Sequence, residues 1–111
     1  MTTIEILIKA RAVISDRGRW TQNAEARALY GDSCDCESDA AVCWCAVGAT
    51  GKVGGYGPSA AADRALEGTL AAAGDGREVV TFNDDPTTAH SMVLDLFDRT
   101  IARLQREVNR G

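Results

Sequence analysis

The sequence predicts a mainly α-helical fold, a compact bundle of about four helices around a buried central helix. The chain is rich in alanine, and only 5% of its residues are aromatic, a composition that favours closely packed helices. Several segments also place apolar residues at helical spacing. Near the middle, residues 40–49 carry no charge at all, which is typical of a helix buried on every side.

The first helix is predicted from Thr3 to Asp16. Thr2 and Glu5 have the spacing of a capping box, and Gly18 is a suitable stop. The central helix is predicted from Ala40 to Ala49, with Ser38 or Asp39 as its cap. Apolar side chains repeat at helical spacing in the first helix, at Ile6, Ala10, Val13 and Ile14.

Two further helices are predicted in the second half of the chain. The third is capped by Ser59 and ends at residues 74–76. The last is capped by Asp85 or Thr87, with Pro86 in its first turn. Its predicted core stripe is Val93, Phe97, Ile101, Leu104 and Val108.

Some segments leave alternatives open. Ala24 to Tyr30 fits either a short helix or a strand, and Glu78 to Phe82 has strand character. A minimal two-stranded β element near residues 26–32 and 78–82 is therefore a second possibility within the mainly helical fold. Residues 51–58 are rich in glycine and predict a loop.

Length and charge narrow the function classes. The 111 residues suit one domain, 1–111, and the net charge of −4 argues against a general nucleic-acid binder. No apolar run reaches the length of a membrane span, and the N-terminus lacks the core of a signal peptide. We therefore expect a cytoplasmic protein with reduced cysteines, no membrane contact and no cofactor.

The four cysteines form the pattern C-x-C…C-x-C, made by Cys34, Cys36, Cys43 and Cys45. Four thiolates could hold a tetrahedral zinc ion, although structural zinc sites usually space each pair more widely. On a helix, Cys43 and Cys45 would point about 200° apart. The favoured interpretation is therefore that no metal is bound and that the helical cysteines are core residues.

A cysteine nucleophile is the second candidate chemistry. One cysteine, the single histidine His90, and Asn83 or Asp84 make up the residue set of a cysteine hydrolase. An activated cysteine usually sits at a helix N-terminus. In the predicted central helix, Cys43 and Cys45 lie too far inside for that role.

Two polar features remain. Residues 83–90 combine a turn, two carboxylates and His90 at a helix start, where an anion or a cation could bind. Capping of the helix is the favoured interpretation of these residues.

On the last helix, a basic ridge is predicted to face solvent, where it could dock an acidic partner or complement the helix dipole. Its members are Arg99, Arg103, Arg106 and Arg110.

Short blocks along most of the chain have a recognisable order: W-T-Q at Trp20–Gln22, W-C-A-V-G-A at Trp44–Ala49, N-D at Asn83–Asp84, and T-A-H-x-x-V-L-x-L-F-D-R-x-I from Thr88. This arrangement resembles an uncharacterised domain family of actinobacteria and their phages. The family pattern retains one cysteine, at the position of Cys45. The resemblance implies that five polar residues converge as candidate ligand-binding residues: Trp20, Gln22, Asn83, Asp84 and His90.

Two functions remain in competition at this stage. The leading hypothesis is a small, phage-linked interaction protein that binds another protein and has no catalytic activity. The alternative is a small-ligand-binding or hydrolytic domain using Cys45, Asn83, Asp84 and His90. The sequence does not decide whether the protein is an enzyme.

Overall fold

The computed structural model describes residues 1–110, which form a mostly helical globule with a small antiparallel sheet. The mainly helical prediction is confirmed, but the described chain has five α-helices rather than four. The helices are α1 (Thr3–Val13), α2 (Ala46–Gly54), α3 (Pro58–Ala72), α4 (Val79–Asp84) and α5 (His90–Arg110). The strands are β1 (Ala26–Ala28), β2 (Ser33–Cys34) and β3 (Ala41–Trp44), in the order β2-β1-β3.

Helix α1 begins as predicted and packs against α2, α3 and α5. The capping box is present: Glu5 N donates to Thr2 Oγ1 at 3.1 Å, and Thr2 N donates to Glu5 Oε1 at 3.0 Å. The helix ends at Val13, earlier than predicted. Asp16 instead caps a short 3-10 turn by accepting from Gly18 N.

The predicted central helix is wrong in its first half. Ala41–Trp44 is strand β3, paired with β1 so that Trp44 lies opposite Ala26. Helix α2 starts only at Ala46, and Ser38 Oγ accepts from Ala40 N in a turn before the strand. An uncharged run has no apolar period, so periodicity could not separate a buried strand from a buried helix. The second half is buried as predicted, and α2 packs against α1, α3 and α4.

The segment Glu78–Phe82 is also not a strand, because Val79–Asp84 forms helix α4. Its first amide, Val79 N, donates to Glu67 Oε2 at 3.0 Å, so a side chain of α3 caps it. The strand alternative for Ala24–Tyr30 holds at β1. Its partners are β2 and β3, which gives three strands instead of two.

The last two long helices differ from prediction at their ends. Helix α3 begins at Pro58, two residues before the start that a Ser59 cap would give, and its N-cap is Gly57. Helix α5 begins at His90, because the Asp85 carboxylate accepts from Thr87 and closes a turn before it. Its apolar stripe starts in the core but ends outside it, since Val108 is 67% exposed. Within residues 1–110, no helix has both the length and the apolar character that a membrane span requires.

Candidate functional site

The side chain of Asn83, at the end of α4, is the centre of a buried polar network. Its Oδ1 accepts from Trp20 Nε1 at 2.8 Å and from Ala46 N at 3.0 Å. Its Nδ2 donates to Thr21 O at 3.1 Å and to Asp84 Oδ1 at 2.9 Å. An asparagine amide offers two donor hydrogens and an acceptor oxygen with two lone pairs, so the hydrogen-bonding capacity of Asn83 is fully used.

Gln22 extends the network to the turn between α4 and α5. Its Nε2 donates to Asn83 O at 2.8 Å and to Asp85 O at 2.9 Å. The next residue, Asn23, has a φ of 65° and donates from its backbone N to Asp84 Oδ1 at 2.9 Å. Each of residues 20–23, which follow the 3-10 turn, is thus hydrogen-bonded to the end of α4.

The His90 ring lies against the Trp20 indole. The two ring centroids are 5.6 Å apart, and His90 Nε2 donates to Ile14 O at 2.6 Å. Because a carbonyl oxygen can only accept a hydrogen bond, this contact requires a proton on Nε2. The structure therefore brings Trp20, Gln22, Asn83, Asp84 and His90 together, and each one contacts another part of the chain itself.

Cys45 occupies a different position from the one inferred from the sequence. It is the N-cap of α2, not a residue deep inside a helix, because β3 precedes it. Its Sγ accepts from Gly48 N at 3.3 Å, and the residue is 2% exposed. Burial raises the pKa of the Cys45 thiol, although the α2 amide groups of Gly48 and Val47 act to lower that pKa. The helix N-terminus expected for an activated cysteine is present, but the thiol is shielded from solvent and accepts a hydrogen bond from α2.

The four cysteines are all free. Cys34 lies on β2 and Cys43 on β3, and Cys36 and Cys45 follow those strands. In the part of the chain that the structure describes, no three sulfur atoms lie within 4.8 Å of one another. The four-cysteine zinc arrangement is therefore not assembled in this structure.

A different set of metal-ligand atoms does meet. One oxygen of Glu25, one of Asp35 and the Cys36 sulfur all lie within 4.8 Å of each other, beside a cavity of about 340 Å³. Both carboxylates are exposed and could hold a hard cation through oxygen. The sequence signal was the acidic loop, but the contribution of Glu25 depends on β1 and β2 pairing.

The Cys36 thiol in this set is held in its neutral form. Burial raises its pKa to about 12, with further contributions from a hydrogen bond to Glu25 and from the charges of Glu25, Asp35 and Glu37. Thiolate is the form that binds metals. The carboxylates are consequently the groups that a cation would meet first.

Sequence reasoning also missed a largely apolar cleft of about 450 Å³ between α3, α4 and α5. Leu70, Phe82 and Leu96 line it together with Met92, and Asp75 and Arg99 are among its polar lining residues. Its volume lies in the range of small-ligand sites. One of its lining residues, Phe82, lies on α4, where the sequence suggested a strand.

The fold and the site define a class: a small helical domain with a three-stranded sheet and a Trp–Gln–Asn network centred on a buried asparagine. A family model described as "Family of unknown function (DUF6197)" matches residues 1–103. The chain belongs to this family, which confirms the resemblance to an uncharacterised domain family. Comparisons with curated proteins and with solved structures gave no match.

Proposed function

We propose that this protein is a non-catalytic interaction protein that binds another protein in the cytoplasm. The proposal rests on one observation, that the side chains of the Asn83 network are hydrogen-bonded within the chain. The side chains that the sequence offered as a ligand site, above all Asn83 and Gln22, already bond to the chain itself. Asn83, whose side-chain donors and acceptor are all satisfied internally, stabilises the fold and has little to offer a substrate.

The proposed compartment and origin have their own support. Four free cysteines, two of them only half-buried, suit a reducing environment. The block pattern resembles sequences of actinobacteria and their phages, so we propose a bacterial or phage origin of that kind.

The turn between β1 and β2 is the proposed contact surface. Leu29 is 72% exposed and Tyr30 is 92% exposed. The turn itself is held by backbone bonds, from Gly31 N to Ala28 O at 2.9 Å and from Ala28 N to Asp32 O at 2.8 Å. The two large side chains are therefore not needed to form the turn, and tyrosine is enriched where proteins meet.

The test compares three baits in a lysate of an actinobacterial host, with quantitative mass spectrometry of the captured proteins. The baits are the wild type, the double variant Leu29→Ser/Tyr30→Ser, and the control Val108→Ser, which also removes an exposed apolar side chain. We expect one protein to bind the wild type and the control and to be depleted roughly tenfold with the double variant. Equal capture by all three baits, or no capture above bare resin, would contradict the proposal.

The alternative is a ligand-binding or hydrolytic domain using Cys45, Asn83, Asp84 and His90. One observation favours it, the position of Cys45 at the N-terminus of α2. Its burial opposes it, because a substrate would need to reach a sulfur that solvent barely touches. Hydrolysis of an activated ester by the wild type that disappears in Cys45→Ala would replace the interaction proposal with this one.

A further inference from the structure

A cavity of about 270 Å³ between α3 and α5 is lined by three arginines and by no carboxylate. The protein as a whole carries a net charge of −4, whereas the charged residues that line this cavity are all positive. The residues that line it are Thr69, Ala72, Arg99, Ala102, Arg103 and Arg106.

Arg103 does not follow the solvent-facing prediction made for the basic ridge. Its Nη2 donates to Ala65 O at 2.7 Å and its Nε donates to Thr69 Oγ1 at 3.3 Å, so the guanidinium lies against α3. Gly68 makes room for it, because a Cβ at that position would lie 3.1 Å from Arg103 Nη2. The guanidinium is therefore held in place before any ligand arrives, which lowers the entropy cost of binding.

Arg103 keeps donors to spare. A guanidinium has five N–H groups, and Arg103 uses one on Ala65 O, one on Thr69 Oγ1 and one on Glu107 Oε1 at 3.3 Å. The remaining N–H groups have no partner among residues 1–110.

The other two arginines are not needed to join the helices. Arg99 forms only a 3.7 Å ion pair with Asp95, and both side chains are more than half exposed. Within the described chain, no carboxylate lies within 4.0 Å of Arg106. The acids of this region, Asp95 and Glu107, sit beside the cavity and do not line it.

We propose that this cavity binds a phosphate group, either free phosphate or the phosphomonoester of a small molecule. Arginine matches the oxygens of phosphate with paired, charge-assisted hydrogen bonds. Arg99 and Arg103 each have a carboxylate partner, so the positive charge of Arg106 is the one that attracts the phosphate dianion most strongly. The proposal goes beyond the proposed function and does not rest on it, since the β1–β2 turn plays no part in this cavity.

The experiment is a calorimetric titration of the full chain at low ionic strength with inorganic phosphate and with adenosine monophosphate, using chloride as the reference anion. We expect saturable binding of at least one phosphate probe. Tighter binding of the nucleotide would identify a phosphomonoester as the ligand, and equal or tighter binding of inorganic phosphate would identify free phosphate.

Matched variants separate a specific site from general charge. Arg106→Gln and the control Arg17→Gln change the net charge equally, and both arginines are exposed. We expect Arg106→Gln to weaken binding about tenfold and Arg17→Gln to leave it unchanged. Equal weakening by both variants, or binding no tighter than that of chloride, would overturn the proposal.

A second variant tests the position of Arg103 without removing charge. Gly68→Ala places a methyl group against Arg103 Nη2 and should weaken phosphate binding severalfold while the helix stays folded, because alanine is the better helix former. Unchanged affinity in this variant would contradict the role of Arg103. The Leu29→Ser/Tyr30→Ser variant should bind phosphate as the wild type does, so failure of one proposal is distinguishable from failure of the other.

Discussion

The indole Nε1 of Trp20 donates a 2.8 Å hydrogen bond to the side-chain oxygen of Asn83, which lies 63 residues further along the chain. The same oxygen accepts from the first amide of α2, Ala46 N. Three segments therefore meet at one atom: the chain after α1, the start of α2 and the end of α4. Because none of them is close to the others in sequence, this oxygen fixes the relative positions of the helices.

Replacing Asn83 with alanine should be strongly destabilising. It leaves Trp20 Nε1 and Ala46 N without their acceptor, and each unsatisfied buried donor costs about 1–3 kcal/mol. We expect a loss of roughly 3–5 kcal/mol in the free energy of unfolding, measured by urea denaturation. Asn109→Ala, an exposed change on α5, is the control and should be near neutral. A loss below about 1 kcal/mol for Asn83→Ala would show that the network is not a structural centre.

Gly48 is the second position where the fold depends on one residue. A Cβ built there would lie 1.9 Å from the backbone oxygen of Glu25, which cannot move aside because it also accepts from Cys45 N. Gly48→Ala should therefore separate α2 from the start of β1 and cost about 3 kcal/mol or more. The measurement is the shift in the thermal midpoint.

Gly76→Ala is the matched control for that experiment. A Cβ at Gly76 would meet no heavy atom within 4 Å. Its thermal midpoint should stay the same or rise slightly, because alanine reduces the freedom of the unfolded chain. If the two variants have the same thermal midpoint, the close approach at Gly48 does not contribute to stability.

Local sequence predicted the cap of α1, whereas the caps predicted at Ser38 or Asp39 and at Ser59 are not those of the observed helices. The capping box of Thr2 and Glu5 depends on residues three apart, and it was correct. The error at Ala41–Trp44 has a different origin. Whether an uncharged run becomes strand or helix depends on a partner, here β1, which the sequence does not place beside it.

For the candidate site too, the sequence indicated the residues but not the contacts between distant segments. The block pattern identified Trp20, Gln22 and Asn83, but not that their bonds would be to one another and to the backbone. The meeting of Glu25 with Asp35 and Cys36 depends on the pairing of β1 with β2, and the contact of Arg103 with α3 depends on Gly68. Contacts between distant segments are decided by packing, which periodicity does not encode.

The cysteines should differ in their rate of alkylation. Cys36 and Cys45 are buried, and burial raises the pKa of each thiol. Cys34 and Cys43 are only half-buried. Iodoacetamide at neutral pH should therefore label Cys34 and Cys43 first, as read by peptide mass spectrometry, because the reagent needs an accessible thiolate.

Unfolded protein is the control for alkylation, since all four cysteines should then react at similar rates. Rapid labelling of Cys45 in the folded protein would go against this prediction. It would also strengthen the hydrolytic alternative, because it would show that the thiolate at the start of α2 can be reached.

Asp63 should make stability depend on pH. The residue is half-buried on α3, and desolvation by burial is the main reason that its pKa is raised to about 6; a hydrogen bond from Thr50 acts in the opposite direction. Thr50 Oγ1 lies 2.9 Å from Val47 O and 2.6 Å from Asp63 Oδ1. A hydroxyl has one proton, so Thr50 cannot donate fully to both an ionised Asp63 and Val47 O. Both contacts are satisfied when Asp63 is protonated and donates to Thr50, because Thr50 then donates to Val47 O.

The sign follows from comparing the folded and unfolded states. An unfolded aspartic acid has its ordinary pKa near 3.8, below the folded value of about 6. The contribution of Asp63 to stability is thus fully present below pH 3.8 and is lost as the pH rises through 6. Asp63→Asn keeps a neutral donor and should be more stable than the wild type at pH 8 by about 1–2 kcal/mol, after allowance for solvent screening.

The comparison of the two proteins at pH 4 and pH 8 checks the mechanism. At pH 4 the Asp63 side chain of the folded wild type is mostly protonated, so the advantage of the Asp63→Asn variant should shrink toward zero. Urea denaturation at both values measures the difference directly, and both proteins share every other titrating group. An advantage that is the same at both pH values would mean that Asp63 is already ionised in the folded protein at pH 4, and that its burial costs little.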